Sequence, residues 1–244
     1  MGDIVGRQPV IEALRSGREI NKILVAKGSR QGSVREIFAL AKEKGVVVTE
    51  VERSLLDKLS AGPNHQGVLA QMAGVAYAEL EDVMRSPENS AWAPFLILLD
   101  GIQDPHNLGS IIRSGEAMGI DGVIIPRRRA VPVTQTVMKS SAGAANYVPV
   151  CRVSNLANTI DTLKQAGYWI VGADMAGASC FSQDLTGPIG LVIGSEGSGL
   201  SRLIKEKCDF LTSVPMRGRI NSLNASVAAA LLMSEVVRQR GMLS

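Results

Sequence analysis

The stretch "FLILLDGIQDPHNLGSIIRSGEAMGIDGVIIP", residues 95–126, decides the fold. It opens on five consecutive apolar residues before Asp100 and closes on a second apolar run, "GVIIP". Unbroken apolar runs of this length suit strands covered on both faces, as in a parallel sheet. Between the runs, Leu108, Ile111, Ile112, Gly115 and Met118 recur at helical spacing, and Gly119 stops the helix. Asn107 reads as the N-cap, while Ser110, Arg113 and Ala117 fall on the opposite side. Parallel strands need a crossover, so strand, helix, strand is the signature of an α/β fold.

The same texture continues outward. "YVPVCRV" (147–153), "YWIVGADM" (168–175), "GLVIG" (190–194) and "FLTSVPM" (210–216) are further short apolar runs between helical or loop segments. Towards the N-terminus, "GRQPVIEALRSG" (6–17), "SVREIFALAKEKG" (33–45) and "SLLDKLS" (54–60) read as helices. "KILVA" (22–26), "VVVTEV" (46–51) and "HQGVLAQM" (65–72) read as strands. Between the two halves lies "AYAELEDVMRSPENSAW", acidic and broken by Pro87, expected to be a linker with one helical turn. The expected organisation is therefore a small α/β domain at 1–75, a linker at 76–92 and a parallel-sheet domain at 93–244.

The totals bound the function class. A chain of 244 residues, 45% apolar and 20% charged, is long enough for two modest domains with real cores. No apolar run approaches the roughly 20 residues of a membrane span. Cys151, Cys180 and Cys208 are odd in number and widely spaced, which argues against a disulfide framework or a zinc site. With no basic-then-apolar leader at the start, the expected location is the cytoplasm. The net charge of +3 is too small to argue for nucleic acid by itself. Its distribution is more telling: two mildly basic bodies flank an acidic strip at 76–92, compatible with an anionic partner.

Ligands of open α/β sheets gather at the carboxyl ends of strands, and three strand ends carry polar groups. After residues 95–100 come Asn107 and Arg113. After residues 190–194 comes "SEGSGLS", a glycine-punctuated turn holding Glu196. The glycine order there is not that of a dinucleotide fingerprint, and no phosphate loop occurs. Glu196 repels phosphate, so it suits either cationic or hydrogen-donating chemistry, or a helix-start cap. After residues 210–216 come Ser222 and Asn224, at the start of a helix that is apolar almost all round from Val227 to Val237. Such a helix packs inside the domain or in a dimer contact. Arg127, Arg128 and Arg129 follow another strand end, either gripping phosphates or standing as solvated loop arginines. His106 and His65 read as turn residues.

"DPHNLGSIIR" (104–113), "LVIGSEGSGLS" (191–201) and "SVPMRGRINSLNASVA" (213–228) resemble, in order and spacing, the three motifs of the SpoU branch of the SPOUT RNA methyltransferases. The likeness covers nearly the whole chain, with residues 1–75 similar to ribosomal proteins L30e and L7Ae and implied to bind the RNA substrate. The resemblance implies a parallel sheet with a deep trefoil knot, a rare exception to the unknotted rule. It implies S-adenosylmethionine as cofactor, with Gly194, Val214 and Leu223 lining the adenosine site and Ile193, Met216 and Ile220 nearby. It implies a homodimer through the C-terminal domain, whose site borrows residues from the partner chain, and no metal.

The reaction implied is methylation of a ribose 2′-hydroxyl of structured RNA, with a guanosine of 23S ribosomal RNA as the first substrate. Transfer RNA, another ribosomal position, or a non-catalytic ribosome-assembly role are the alternatives. Arg113 is implied to act on the hydroxyl. Because a guanidinium stays charged in proteins, holding phosphate and ribose is the conservative version of that role. Asn107, Glu196, Ser222 and Asn224 would then fix Arg113, the ribose and the surrounding loops.

Overall fold

The computed structural model describes residues 3–29, 31–60, 63–85, 92–219 and 222–241. It divides into two compact units, Met1–Ala76 with Val133–Gln135, and Tyr77–Pro132 with Thr136–Ser244.

The first unit runs β1 (Ile4–Val5), α1 (Arg7–Arg15), β2 (Ile20–Ala26), α2 (Ser33–Glu43), β3 (Val47–Val51), α3 (Arg53–Leu59) and β4 (Val68–Met72). Its sheet order is β1-β4-β2-β3. β2 and β3 are parallel, whereas β4 runs antiparallel to both β2 and β1. Side chains alternate across the central strand, as strand geometry dictates. Ile23 and Val25 pack with Val10, Ile11 and Leu14 of α1 and Val34 and Ile37 of α2. Leu24 and Ala26 face the other way, onto Leu56 of α3 and Leu69. The two-residue β1 is too short to leave a periodic signature in the sequence.

The second unit runs α4 (Leu80–Met84), β5 (Phe95–Asp100), α5 (Pro105–Ala117), β6 (Gly122–Pro126), α6 (Gln135–Ser140), β7 (Val150–Val153) and α7 (Leu156–Gln165). It continues with β8 (Trp169–Ser179), β9 (Ile189–Gly194), α8 (Arg202–Lys207), β10 (Phe210–Ser213) and α9 (Ala225–Gln239). The strands form one sheet ordered β10-β8-β9-β5-β6-β7, and every pairing is parallel. β5 and β9 are central and buried, which is why their sequences are apolar without alternation. Leu96, Leu98, Ile124 and Val192 pack on one face with Ile160 and Leu163 of α7 and Ile204 of α8. α5 and α9 pack against each other, and α9 contacts β9.

Three local expectations change. Asp104, not Asn107, caps α5: its carboxylate accepts from the His106 N–H at 2.9 Å, with Pro105 at the first helical position. Proline has no N–H to satisfy there, so the cap moves to the residue before it. Asn107 consequently sits inside the first turn and its side chain is released for other bonds. The segment expected to be linker is packed over its first part. Val83 of α4 is buried in the core, and Ala78 bridges Cys151 beside β7. Finally, α9 is buried along Ala229, Leu232, Met233, Val236 and Val237, while Val227 and Leu231 are open at 46% and 45% exposure.

Candidate active site

The turn after β9 is closed by reciprocal backbone bonds, Ser195 N–H to Gly199 O at 3.1 Å and Gly199 N–H to Ser195 O at 2.9 Å. A Cβ on Gly194 would lie 2.2 Å from the Gly199 carbonyl carbon, so only glycine lets the two arms of the turn touch. This turn carries Glu196 outward.

Asn107, buried at 6% exposure, donates from Nδ2 to Glu196 Oε1 at 3.0 Å. Asn224 donates from Nδ2 to Asn107 Oδ1 at 3.0 Å and also to Glu196 Oε1. The other end of the same amide caps α9, Oδ1 accepting from Ser226 N–H at 2.9 Å and Val227 N–H at 3.3 Å, and from Ser226 Oγ at 2.6 Å. The first turn of α5, the turn after β9 and the start of α9 are thereby tied together through two amides and one carboxylate. Both amides meet Oε1, so Oε2 is left without a partner among the described residues.

Beside this cluster lies a cleft. Ile193, Gly194, Val214, Met216 and Leu223, all expected near a cofactor, line it, and so do Glu196 and Ser222. Ser222 is exposed, with no hydrogen bond to a described residue. Ile220 lies outside the described residues. Arg113 does not join the group within one chain. It is exposed, does not line the cleft, and makes no hydrogen bond or ion pair with a described residue. Six residues beyond Asn107 on α5, it is about 9 Å further along the axis and about 240° around it. Of the arginine run, Arg127 donates from Nε to the Arg152 carbonyl at 3.3 Å. Arg128 and Arg129 instead line a second cleft on the other side of the Ser195–Gly199 turn.

The cleft has a wall that sequence reasoning missed. β8 and β10 pair Gly172 with Leu211, then jump to Ala178 with Thr212, so five residues of β8 bulge out of register. Ala173, Asp174 and Met175 of this bulge line the cleft, as do Thr212, Ala225 and Ala228. Gly177 permits the return, since a Cβ there would lie 2.5 Å from the Leu211 and Thr212 backbone. Glycines inside a strand pattern mark bulges, and Gly172 and Gly177 are the signal that would have located this one. Asp174 accepts from the Ala176 N–H at 2.9 Å and pairs with Lys205 at 2.9 Å. Burial works to raise its carboxyl, but the Ala176 bond and Lys205 outweigh it and hold the group below the usual carboxylate range.

Thr212 is fully buried, and its Oγ1 has no hydrogen-bond partner among the described residues. An orphaned buried hydroxyl costs of order 1–3 kcal/mol, and its place in the wall of the cleft points to a polar ligand that would satisfy it. Apolar walls of Ile193, Val214 and Leu223 with a few convergent polar groups have the character of a small-molecule site. Among the described residues, no group of three or more His, Cys, Asp or Glu could hold a metal ion, and no helix is long and apolar enough to cross a membrane.

Comparison with known proteins gives the family. The profile described as "SpoU rRNA Methylase family" matches residues 94–234, and "RNA 2'-O ribose methyltransferase substrate binding" matches residues 4–78. A protein of Staphylococcus saprophyticus, named as a TrmH family tRNA/rRNA methyltransferase, is 51% identical over 97% of this chain and 95% of its own. YacO of Bacillus subtilis, named likewise, is 48% identical over the same shares. Among solved structures, the SpoU methyltransferase AviRb of Streptomyces viridochromogenes in complex with AdoMet aligns with a TM-score of 0.62 at 28% identity. That alignment covers 98% of this chain and 90% of AviRb. An AdoMet-bound rRNA methyltransferase of Sinorhizobium meliloti aligns with a TM-score of 0.62 at 25% identity, over 100% of this chain and 88% of its own. With both profiles in order along one chain, and relatives about half identical over nearly its whole length, the chain belongs to the SpoU family of RNA methyltransferases.

Proposed function

We propose that the chain transfers a methyl group from S-adenosylmethionine to a ribose 2′-hydroxyl of structured RNA, a guanosine of 23S ribosomal RNA being the first substrate to try. The observation that carries this reading is the Asn107–Glu196–Asn224 cluster at the edge of an apolar cleft whose wall holds the unpartnered Thr212 hydroxyl. S-adenosylmethionine, when bound there, supplies an electrophilic methyl group on a sulfonium. Gly194, Val214 and Leu223 would line its adenosine, with Ile193, Met216 and Ile220 nearby, and Thr212 would meet a polar atom of it.

The chain's own groups then have to place the acceptor oxygen in line, and positioning of this kind supplies much of a transfer rate. Glu196 is oriented by two amide N–H groups on Oε1, and its free Oε2 can accept a hydrogen bond from a ribose hydroxyl. Ser222, without a partner among the described residues, faces the same space. Arg113 is given the role of gripping phosphate and ribose in the site of a partner subunit. Its outward position on α5 supports this, and the open apolar residues Val227 and Leu231 on α9 support a homodimer through the C-terminal domain. The same reading takes the C-terminal segment as tucked through a loop in a deep trefoil knot, the first unit as an L30e-like RNA-binding domain, and the cytoplasm as the location.

The test is incubation with methyl-labelled S-adenosylmethionine and unmethylated 23S ribosomal RNA or total transfer RNA, followed by alkaline hydrolysis. A 2′-O-methyl group blocks backbone cleavage, so label in alkali-resistant dinucleotides is the expected result. Label confined to mononucleotides, or binding of RNA with no transfer to either substrate, would refute the reading.

A further inference from the structure

The second cleft, of about 420 Å³, opens at the carboxyl ends of β5, β6 and β7. We infer that it holds a backbone phosphate of the RNA next to the nucleotide being methylated, and that Arg128 and Arg129, but not Arg127, grip it. That the phosphate neighbours the methylated nucleotide rests on the function proposed above; the anion site itself does not.

The carboxyl ends of parallel strands are where α/β sheets bind ligands, and this cleft carries the donors for an anion. Arg128 and Arg129 are exposed, line it, and have no hydrogen-bond or ion-pair partner among the described residues. Planar guanidinium forks match phosphate oxygens in pairs. Gln103, Ser154 and Ser198 add neutral donors around the rim. The acid in the cleft is Asp100, and one of its oxygens already accepts from the Ser201 N–H at 2.7 Å. The lining therefore keeps a positive balance.

Backbone geometry separates the three arginines. Arg127 continues the strand edge, its N–H bonded to the Val153 carbonyl and its Nε to the Arg152 carbonyl, so it is spent on holding β6 to β7. Arg129 turns the chain with φ +59, a left-handed conformation that non-glycine residues rarely adopt. That turn is where the two cleft arginines leave the strand. Ser195 lines both clefts, so one wall, the Ser195–Gly199 turn, separates the anion site from the methyl-donor site. A nucleotide with its ribose at Glu196 has its neighbouring phosphate within reach of the other side of that turn.

The test is arginine footprinting of the full chain with phenylglyoxal, read by mass spectrometry, with and without a short oligouridylate. Arg128 and Arg129 should be protected and Arg127 unchanged. Equal modification rates of Arg128 and Arg129 in both samples would overturn the inference. In the R128Q/R129Q variant, binding of S-adenosylmethionine should be unaltered. The slope of log affinity for oligouridylate against log salt should become shallower by about 0.7 for each phosphate that the two arginines neutralise in the parent. An unchanged slope would also overturn it. Protection of both arginines in a protein that methylates no RNA would sustain the anion site and remove the proposed function, so the two failures are distinguishable.

Discussion

Replacing Asn224 with alanine tests the junction on which the site depends. Two separate losses follow from its geometry. The cap of α9 disappears, since Oδ1 holds the Ser226 and Val227 N–H groups, and loss of such a cap costs about 1 kcal/mol. The Asn107 Oδ1 also loses its donor. Asn107 is buried, so an acceptor stranded there costs about 1–3 kcal/mol. The bond to Glu196 adds little, because that carboxylate is exposed and water replaces the amide. The expected destabilisation is about 2–4 kcal/mol, a fall in Tm of about 4–16 °C for a unit of this size, measured by calorimetry. Asn224→Asp separates the two terms, because aspartate caps as well as asparagine but cannot donate to Asn107. It also sets a second carboxylate against Glu196. Like charges raise one of the two pKa values above its unfolded value, so this variant should regain stability as pH falls through that raised pKa. A Tm change below about 2 °C for Asn224→Ala, or an aspartate variant as stable as the parent at neutral pH, would refute the account.

Other outcomes follow from the same contacts. Thr212→Val should leave the free protein as stable or more stable, since an unsatisfied buried hydroxyl is removed. Affinity for S-adenosylmethionine should meanwhile fall about 3- to 10-fold by titration calorimetry, the worth of one neutral hydrogen bond; equal affinity would detach Thr212 from the cofactor. Gly194→Ala should unfold the turn, with a loss of more than about 2 kcal/mol in chemical denaturation, because a Cβ meets backbone at 2.2 Å. Asp174 is held below its ordinary pKa, so its stabilisation is present above the unfolded value of about 3.9 and lost as pH falls through the lower folded value. Asp174→Asn should flatten that part of the acid-unfolding curve. Arg113→Ala and Glu196→Gln should each abolish transfer, and mixed and reassociated they should recover up to about a quarter of the activity if the arginine serves the partner's site; no recovery would place it in its own chain's site.

How much of this is legible in the sequence depends on the kind of signal. The buried parallel strands β5 and β9 write themselves as apolar runs, and the helical stripe of α5 is readable because Leu108, Ile111, Ile112 and Gly115 all meet the core. Asn107, Glu196 and Asn224 can be nominated singly, as polar residues at strand ends, but nothing in spacing says that residues 107, 196 and 224 touch. The likeness to a family supplies that, and the hydrogen bonds agree with it. The cap of α5 escapes a reading by periodicity because Asn107 competes with Asp104, and Pro105 decides the contest through its chemistry. The β8 bulge is hidden for a different reason. Its residues Ala173–Gly177 alternate no pattern, and its cause is a register shift against β10, which is a property of pairing. Arg113 shares no hydrogen bond with Glu196 within the chain, and its position about 240° around α5 from Asn107 leaves it for the partner-borne role that the family resemblance implies.

Asn224 also couples folding to the site in a way that neither role alone would. Its Oδ1 can cap only a formed α9, and its Nδ2 reaches Asn107 only when α9 lies against α5. A helix start that is free to fray would release the amide and, with it, the orientation of Glu196. The long apolar body of α9, buried through Leu232, Met233 and Val236, therefore does more than fill the core, since its docking holds the carboxylate in place. Mutations deep in that helix, such as Leu232→Ala at a cost of about 2–5 kcal/mol, should loosen the cluster at a distance. Hydrogen exchange at the Ser226 and Val227 amides should then rise together with loss of transfer, before global unfolding. Exchange at those two amides that stays at the parent's rate in such a variant would mean that the cap and the core of α9 are independent, and that the site is held by its loops alone.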